Sequence, residues 1–240
     1  MGIVVVIPAY NAGRHLPRVV QRVTDVGLPA LERIVVVNDG STDDTRAVVA
    51  ALPAGNCPIE LVDRPRNGGY GAAMKDGLAQ AQKSDPEIVA CVHADGQYSP
   101  EALPMLIETL RARRLDLLQG SRIASGTART GGMPLYKIMA NAVLNRIENA
   151  TLGLAMTDYH SGYLLYGRRT LAAVPFGRLS DSFDFDLEVI AAAHARGLAV
   201  AEAPVPTHYG DEVSHLNPIT YGLRVLRVMW NYRRGRYDPN

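Results

Sequence analysis

The stretch RIVVVNDGST, residues 33–42, sets four consecutive β-branched residues, Ile34 to Val37, directly before Asn38, Asp39 and Gly40. β-branched side chains favour an extended backbone. With no polar residue alternating among them, both faces of that strand must be covered, which is the signature of a parallel sheet between helix layers. Residues 39–42, Asp-Gly-Ser-Thr, then read as a turn and helix cap, with a helix expected over residues 47–52. The same pattern stands upstream. GIVVVIP, residues 2–8, is a second apolar run, and Leu16, Val19, Val20 and Val23 after it repeat at helical spacing.

Working outward, the alternation continues. IELVD (59–63) is a short strand, and NGGYGAAMKDGLAQA (67–81) is a glycine-rich loop entering a helix. EIVACVH (87–93) is a fourth strand, residues 100–113 a helix opening on proline, and LDLLQ (115–119) a fifth strand. Beyond it, SRIASGTARTGGMP (121–134) is a basic, glycine-rich loop. A helix is expected over 135–151, a turn into a strand in DYHSGYLLYGRR (158–169), a helix ending at Gly197, and a late strand in LAVAEAPV (198–205). Strands alternating with helices predict an α/β fold, a mostly parallel sheet in a three-layer sandwich.

The chain has 240 residues, 47% hydrophobic and 20% charged, with a formal net charge of +1. That balance describes a soluble domain with a real core and gives no bulk attraction to nucleic acid. Cys57 and Cys91 have no framework or metal-ligand spacing, so a reducing, cytoplasmic setting is the default. The apolar N-terminus is cut short by Pro8 and Asn11 and lacks a basic start, so no signal peptide is expected. No run approaches the roughly 18–20 apolar residues that cross a bilayer.

In open parallel sheets, ligands bind beyond the carboxyl ends of the strands, at a switch in strand order. Asn11, Asp39, Asn67, His93 and Asp95 all follow strands, so they are expected on one edge. In IVACVHADGQYSP (88–100), an extended backbone would point His93, Asp95 and Gln97 to the same side. Three such side chains suit either a metal site or a polar turn that ends a strand.

VVVIPAYN, VVVNDGSTDDT, NGGYGAAMKDG and CVHADGQYSP occur in a fixed order. Together they resemble the family 2 glycosyltransferases, enzymes of GT-A (Rossmann-like) fold that use nucleotide sugars. GSRI, TDYHSGYLLYGRRTL, FDLEVIAAAHARGLAVAEAPV and YGDEVSH extend the resemblance over nearly the whole chain, and most closely to the polyprenyl-phosphate sugar synthase branch. The resemblance implies a GT-A domain over residues 1–215, with a nucleotide-sugar part to about 120 and an acceptor part from 121, then a basic amphipathic helix and tail over 216–240.

It also implies roles. Pro8, Ala9, Tyr10, Asn11 and Asp39 would hold base and ribose, Gly68, Gly69 and Gly71 would let the backbone approach the nucleotide, and Lys75 and Ala94 would line the donor site. Asp95 would bind Mg2+ or Mn2+ through carboxylate oxygen, with Gln97 offering a carbonyl oxygen. His93 stands where the family commonly has aspartate and is open between metal ligand and structural histidine. Arg122 would face a phosphate, with Arg129 and Lys137 near the flexible loop, and Ser214 and His215 would close on the diphosphate. Asp158 would stand near the acceptor as a catalytic carboxylate or brace the turn at Ser161 and Gly162. A Glu-Asp pair that serves hydroxyl acceptors is lacking in SFDFDLE (182–188), which suits an acceptor phosphate that needs no base.

The expected activity is inverting transfer of a hexose from a donor of the GDP-mannose or UDP-glucose type to a polyprenyl phosphate. A soluble hydroxyl acceptor, with Asp158 or Asp184 as base, is the alternative, followed by a nucleotidyltransferase or a non-catalytic nucleotide-sugar-binding module. Leu216, Ile219, Leu223, Leu226 and Trp230 recur at helical spacing beside Arg224, Arg227, Arg233, Arg234 and Arg236. That helix either packs on the sheet or lies peripherally on the inner face of the membrane.

Overall fold

The computed structural model describes residues 2–53, 57–126, 135–206 and 218–239. Among them, seven strands form one sheet in the order β3-β2-β1-β4-β6-β5-β7. The strands are β1 (Ile3–Ala9), β2 (Leu31–Asn38), β3 (Ile59–Asp63), β4 (Ile88–Cys91), β5 (Leu117–Ser121), β6 (Leu164–Gly167) and β7 (Val200–Pro204). All pairings are parallel except those of β6, which runs antiparallel to both β4 and β5.

The two apolar runs that predicted buried strands are covered on both faces. Alternate residues of β1 enter different layers: Ile3, Val5 and Ile7 one, Val4 and Val6 the other. Val4, Val5, Val6 and Ile7 are fully buried, and each contributes roughly 2 kcal/mol of hydrophobic stabilisation. The first layer is completed by α1 (Leu16–Asp25), α2 (Thr45–Ala51) and α4 (Leu103–Ala112). Leu16, Val19, Val20 and Val23, the face read from their spacing, are the buried residues of α1. The second layer holds α3 (Tyr70–Ala81), α7 (Phe185–Ala195) and parts of α5 (Leu135–Leu152), α6 (Arg168–Ala173) and α8 (Pro218–Arg233). Helix α3 lies flush on the sheet because Gly77 has no side chain: a Cβ there would stand 2.4 Å from a Val6 methyl.

Two local expectations are corrected, in α2 and β4. Helix α2 begins at Thr45, and Ser41 and Thr42 are engaged with Asn11 instead of capping it. Strand β4 ends at Cys91, two residues before His93. Helix α8 packs on α5 and α7, and it buries Val225, Val228 and Met229 while Leu223, Leu226 and Trp230 stay exposed. The topology fixes the site: the chain runs outward from β1 through β2 to β3, then returns to place β4 on the other flank of β1. The carboxyl ends of β1 and β4 therefore flank a switch in strand order.

Candidate active site

At the end of β1, Asn11 adopts a left-handed φ of 50° and ties this edge together. Its backbone N–H donates to Ser41 Oγ at 2.9 Å, and its side-chain oxygen accepts from the Thr42 N–H at 2.8 Å. Pro8 and Ala9 finish the strand, and the Tyr10 ring beside them is half exposed at the edge. Asp39, after β2, is buried and strongly engaged. Its carboxylate accepts from Gly68 N at 2.9 Å, Gly69 N at 2.9 Å and Arg64 Nη1 at 3.0 Å. In this arrangement it clamps the glycine loop rather than capping a helix.

The glycine loop meets protein, not open space. A Cβ on Gly69 would stand 2.5 Å from the Asp181 carbonyl oxygen, and one on Gly71 2.3 Å from that of Ser180. Lys75 reaches the same segment, donating from Nζ to Leu179 O at 2.6 Å and Asp181 Oδ1 at 2.7 Å. Gly69, Gly71 and Lys75 thus seat the 179–182 segment against α3.

Residues 93–97 form a turn, so the same-side argument from an extended strand does not hold. Gly96 has a φ of 73°, open to glycine without strain, and Asp95 Oδ1 accepts from Gln97 N at 2.9 Å. Asp95 Oδ2 has no protein partner among the described residues. Ala94 is buried beside it. His93 points inward: its Nε2 lies 3.1 Å from the Gly162 carbonyl, an acceptor, so Nε2 carries the proton. Its ring also stacks edge-on against Tyr98, with centroids 5.4 Å apart. His93 thus braces the turn against the entry to β6. Among the described residues, no three His, Cys, Asp or Glu side chains gather as a metal site. Asp95 is the carboxylate at this turn that would hold a divalent cation, if one binds here.

Beyond β5, Arg122 and Asp158 form a two-pronged pair: Nε to Oδ2 at 2.7 Å and Nη2 to Oδ1 at 3.0 Å. The Asp158 side chain is fully buried. Burial alone would raise its carboxyl, but the charge and hydrogen bonds of Arg122 hold it below the ordinary carboxylate range. With both oxygens taken up, Asp158 orients Arg122. Asp184 is also committed, accepting from Ser180 Oγ at 2.8 Å and Arg224 Nη1 at 3.1 Å. Arg129, Ser214 and His215 lie outside the described residues, as does the side chain of Lys137.

Several residues here were not read as functional. Asp186 is buried beneath His93 and accepts from the Tyr70 hydroxyl at 2.8 Å. Burial pushes its carboxyl up to about 6, against the pull of Tyr70 and of His93. Gly162 is the spacer here, since a Cβ would press on His93 Nε2 at 2.6 Å and Asp186 Oδ2 at 3.2 Å. Next to Asp158, His160 Nδ1 meets the Tyr221 hydroxyl at 2.8 Å and His160 Nε2 lies 3.3 Å from the buried carboxylate of Glu148. Tyr70, set between Gly69 and Gly71, carried a usable signal; Glu148, in mid-helix, carried none.

With this geometry in place, the likenesses to known proteins fall into line. Residues 4–174 match the profile described as "Glycosyl transferase family 2". The chain belongs to that family. It is 29% identical over 204 residues to the polyprenol monophosphomannose synthase of Mycolicibacterium smegmatis, covering 84% of this chain and 75% of that protein. It is 27% identical over 206 residues to the undecaprenyl-phosphate mannosyltransferase of Micrococcus luteus, covering 85% of this chain and 83% of the other. These relatives support the polyprenyl-phosphate sugar synthase branch that the motifs suggest. The fold matches glucosyl-3-phosphoglycerate synthase from Mycobacterium tuberculosis in complex with UDP, with a TM-score of 0.74 at 18% identity, over all of this chain and 81% of that one. That enzyme has also been crystallised with Mn2+ and UDP. The sandwich is thus a GT-A fold.

Proposed function

We propose that this glycosyltransferase moves a hexose from a nucleotide sugar of the GDP-mannose or UDP-glucose type to a polyprenyl phosphate, with inversion. The observation that carries the acceptor class is the fate of the carboxylates. Asp158 is buried on Arg122 and Asp184 is held by Ser180 and Arg224. Asp158 has both oxygens on Arg122, and Asp184 is nearly buried with two donors on one oxygen, so neither presents an exposed base to a sugar or alcohol hydroxyl. A phosphate monoester is already ionised at neutral pH and attacks without a base. The relatives named for polyprenol and undecaprenyl phosphate support the same acceptor.

In this reading, base and ribose lie along Pro8 to Asn11, with the exposed Tyr10 ring available for stacking. The acceptor oxygen attacks the anomeric carbon, the bond to the diphosphate breaks, and its electron pair leaves with the nucleoside diphosphate. Arg122, aimed by Asp158, supplies positive charge on the β5 side of the edge. Mg2+ or Mn2+, held by Asp95 with Gln97 beside it, would neutralise charge on the leaving diphosphate. Ser214 and His215 are assigned to the same diphosphate by their motif. His93 is a positioning residue for the turn that carries Asp95.

We place the chain on the cytoplasmic side, where Cys57 and Cys91 remain free thiols. No helix among the described residues is long and apolar enough to cross a membrane. The test is to supply labelled nucleotide sugars with a short-chain polyprenyl phosphate or the corresponding free polyprenol. Label entering the organic phase with the phosphate alone supports the reading. Equal labelling of the free alcohol, or label confined to a soluble hydroxyl acceptor, contradicts it.

A further inference from the structure

Helix α8 is apolar on two opposite faces. Val225, Val228 and Met229 close the core beneath it, yet Leu223, Leu226 and Trp230 are 64%, 46% and 62% exposed. Positions 223, 226, 227, 230, 233 and 234 form one stripe at helical spacing, so Arg227, Arg233 and Arg234 flank those apolar side chains. The Arg234 guanidinium lies 5.9 Å over the Trp230 ring, which sets charge directly on the apolar face. Helix α5, packed on α8, carries a second stripe, with Met139 70% and Val143 62% exposed and Ile147 one turn on.

Single exposed apolar residues are ordinary, but two exposed apolar stripes on packed helices are not explained by the fold. Charge decides what could cover them. Residues 218–239 hold five arginines against one acid, Asp238, in a chain whose net charge is only +1. Arg224 turns inward to Asp184, while Arg227, Arg233, Arg234 and Arg236 are exposed. A second copy of this face would bring arginines against arginines. An anionic lipid surface offers both what the arginines need and an apolar layer for leucine and tryptophan.

We infer that the outward faces of α8 and α5 dock on an anionic bilayer surface, with Leu223, Leu226 and Trp230 entering the headgroup boundary and Arg227, Arg233 and Arg234 meeting lipid phosphates. The site meets the opposite, inward face of α8, where Tyr221 bonds to His160, two residues from Asp158. Docking would hold the domain, and with it the site one helix away, at the leaflet that carries a polyprenyl phosphate. In that respect the choice of a lipid surface deepens the acceptor reading above.

Trp230 is the single tryptophan of the chain, so its emission reports this face alone. Full-length protein is titrated with phosphatidylcholine vesicles and with vesicles carrying phosphatidylglycerol, at low and high salt. The expected result is a blue shift and co-sedimentation with anionic vesicles, weakened by salt. Arg227→Gln/Arg233→Gln/Arg234→Gln should weaken partitioning by roughly 100-fold at about 1 kcal/mol for each arginine. Leu223→Ser/Leu226→Ser should lose most of the binding while transfer to a water-soluble short-chain prenyl phosphate stays unchanged. An unshifted Trp230 spectrum, equal binding to neutral vesicles, or a shift driven by protein concentration alone would overturn the inference. Soluble-acceptor activity persisting beside any of these results leaves the transferase reading standing.

Discussion

Removing the charge of Asp158 tests the arrangement on the β5 side of the edge. In Asp158→Asn, the amide nitrogen must face one nitrogen of an Arg122 side chain that is 12% exposed. Two hydrogen bonds, at 2.7 and 3.0 Å, are lost or weakened together, and a buried cation loses its counter-charge. Breaking a buried pair by removing one partner costs about 3–5 kcal/mol. In a domain of this size that corresponds to a fall in Tm of roughly 6–20 °C. Thermal unfolding at pH 7 reads this directly. The pH dependence has a definite sign: the folded-state carboxyl is held low, so its stabilisation is present above the unfolded value and is lost as pH falls through the folded one. The Asn variant should lack that acid-side loss. Arg122→Met/Asp158→Leu should regain most of the stability, because no charge is left stranded, but it should not regain transfer. An Asp158→Asn protein melting within about 2 °C of wild type would refute the buried-pair description.

Asp186 gives the opposite slope. Its folded value of about 6 lies above the ordinary carboxylate range, so stability should fall as pH rises from about 4 to 6 and level off above. Asp186→Asn should flatten that segment in denaturant titrations across this range, and an unchanged slope would contradict the burial of this carboxyl. His160→Ala strands the Glu148 carboxylate, whose oxygens have no hydrogen-bond partner among the described residues, and should cost about 3 kcal/mol in chemical denaturation. Glu148→Leu should be close to neutral by the same measurement. Gly71→Ala drives a Cβ into the Ser180 carbonyl and should cost about 1–3 kcal/mol; a wild-type melting curve would show that the 179–182 segment is not seated on α3.

Much of the sheet was legible because the runs before Asn11 and Asp39 are apolar without alternation, which only a strand covered on both faces tolerates. The antiparallel β6 was not, since a four-residue apolar strand carries no mark of direction. For the site, residue types could be read but partners could not. Asp39 reads as a strand-end carboxylate, while its bonds to Gly68, Gly69 and Arg64 come only from the fold. His93 was placed beside Asp95 by assuming an extended chain, and the turn at Gly96 removes that premise. Helix α8 shows the limit most plainly. Both Leu223, Leu226, Trp230 and Val225, Val228, Met229 satisfy helical spacing, and spacing cannot say which set meets the core.

The most direct measurement of the central claim compares wild type with Asp95→Ala. Each receives a labelled nucleotide sugar and a short-chain polyprenyl phosphate, with manganese, magnesium or chelator. The account predicts cation-dependent label in the organic phase for wild type and none for Asp95→Ala, with both proteins melting alike because Asp95 is a half-buried turn residue. Wild-type turnover by Asp95→Ala, or no consumption of any donor by either protein, would contradict it.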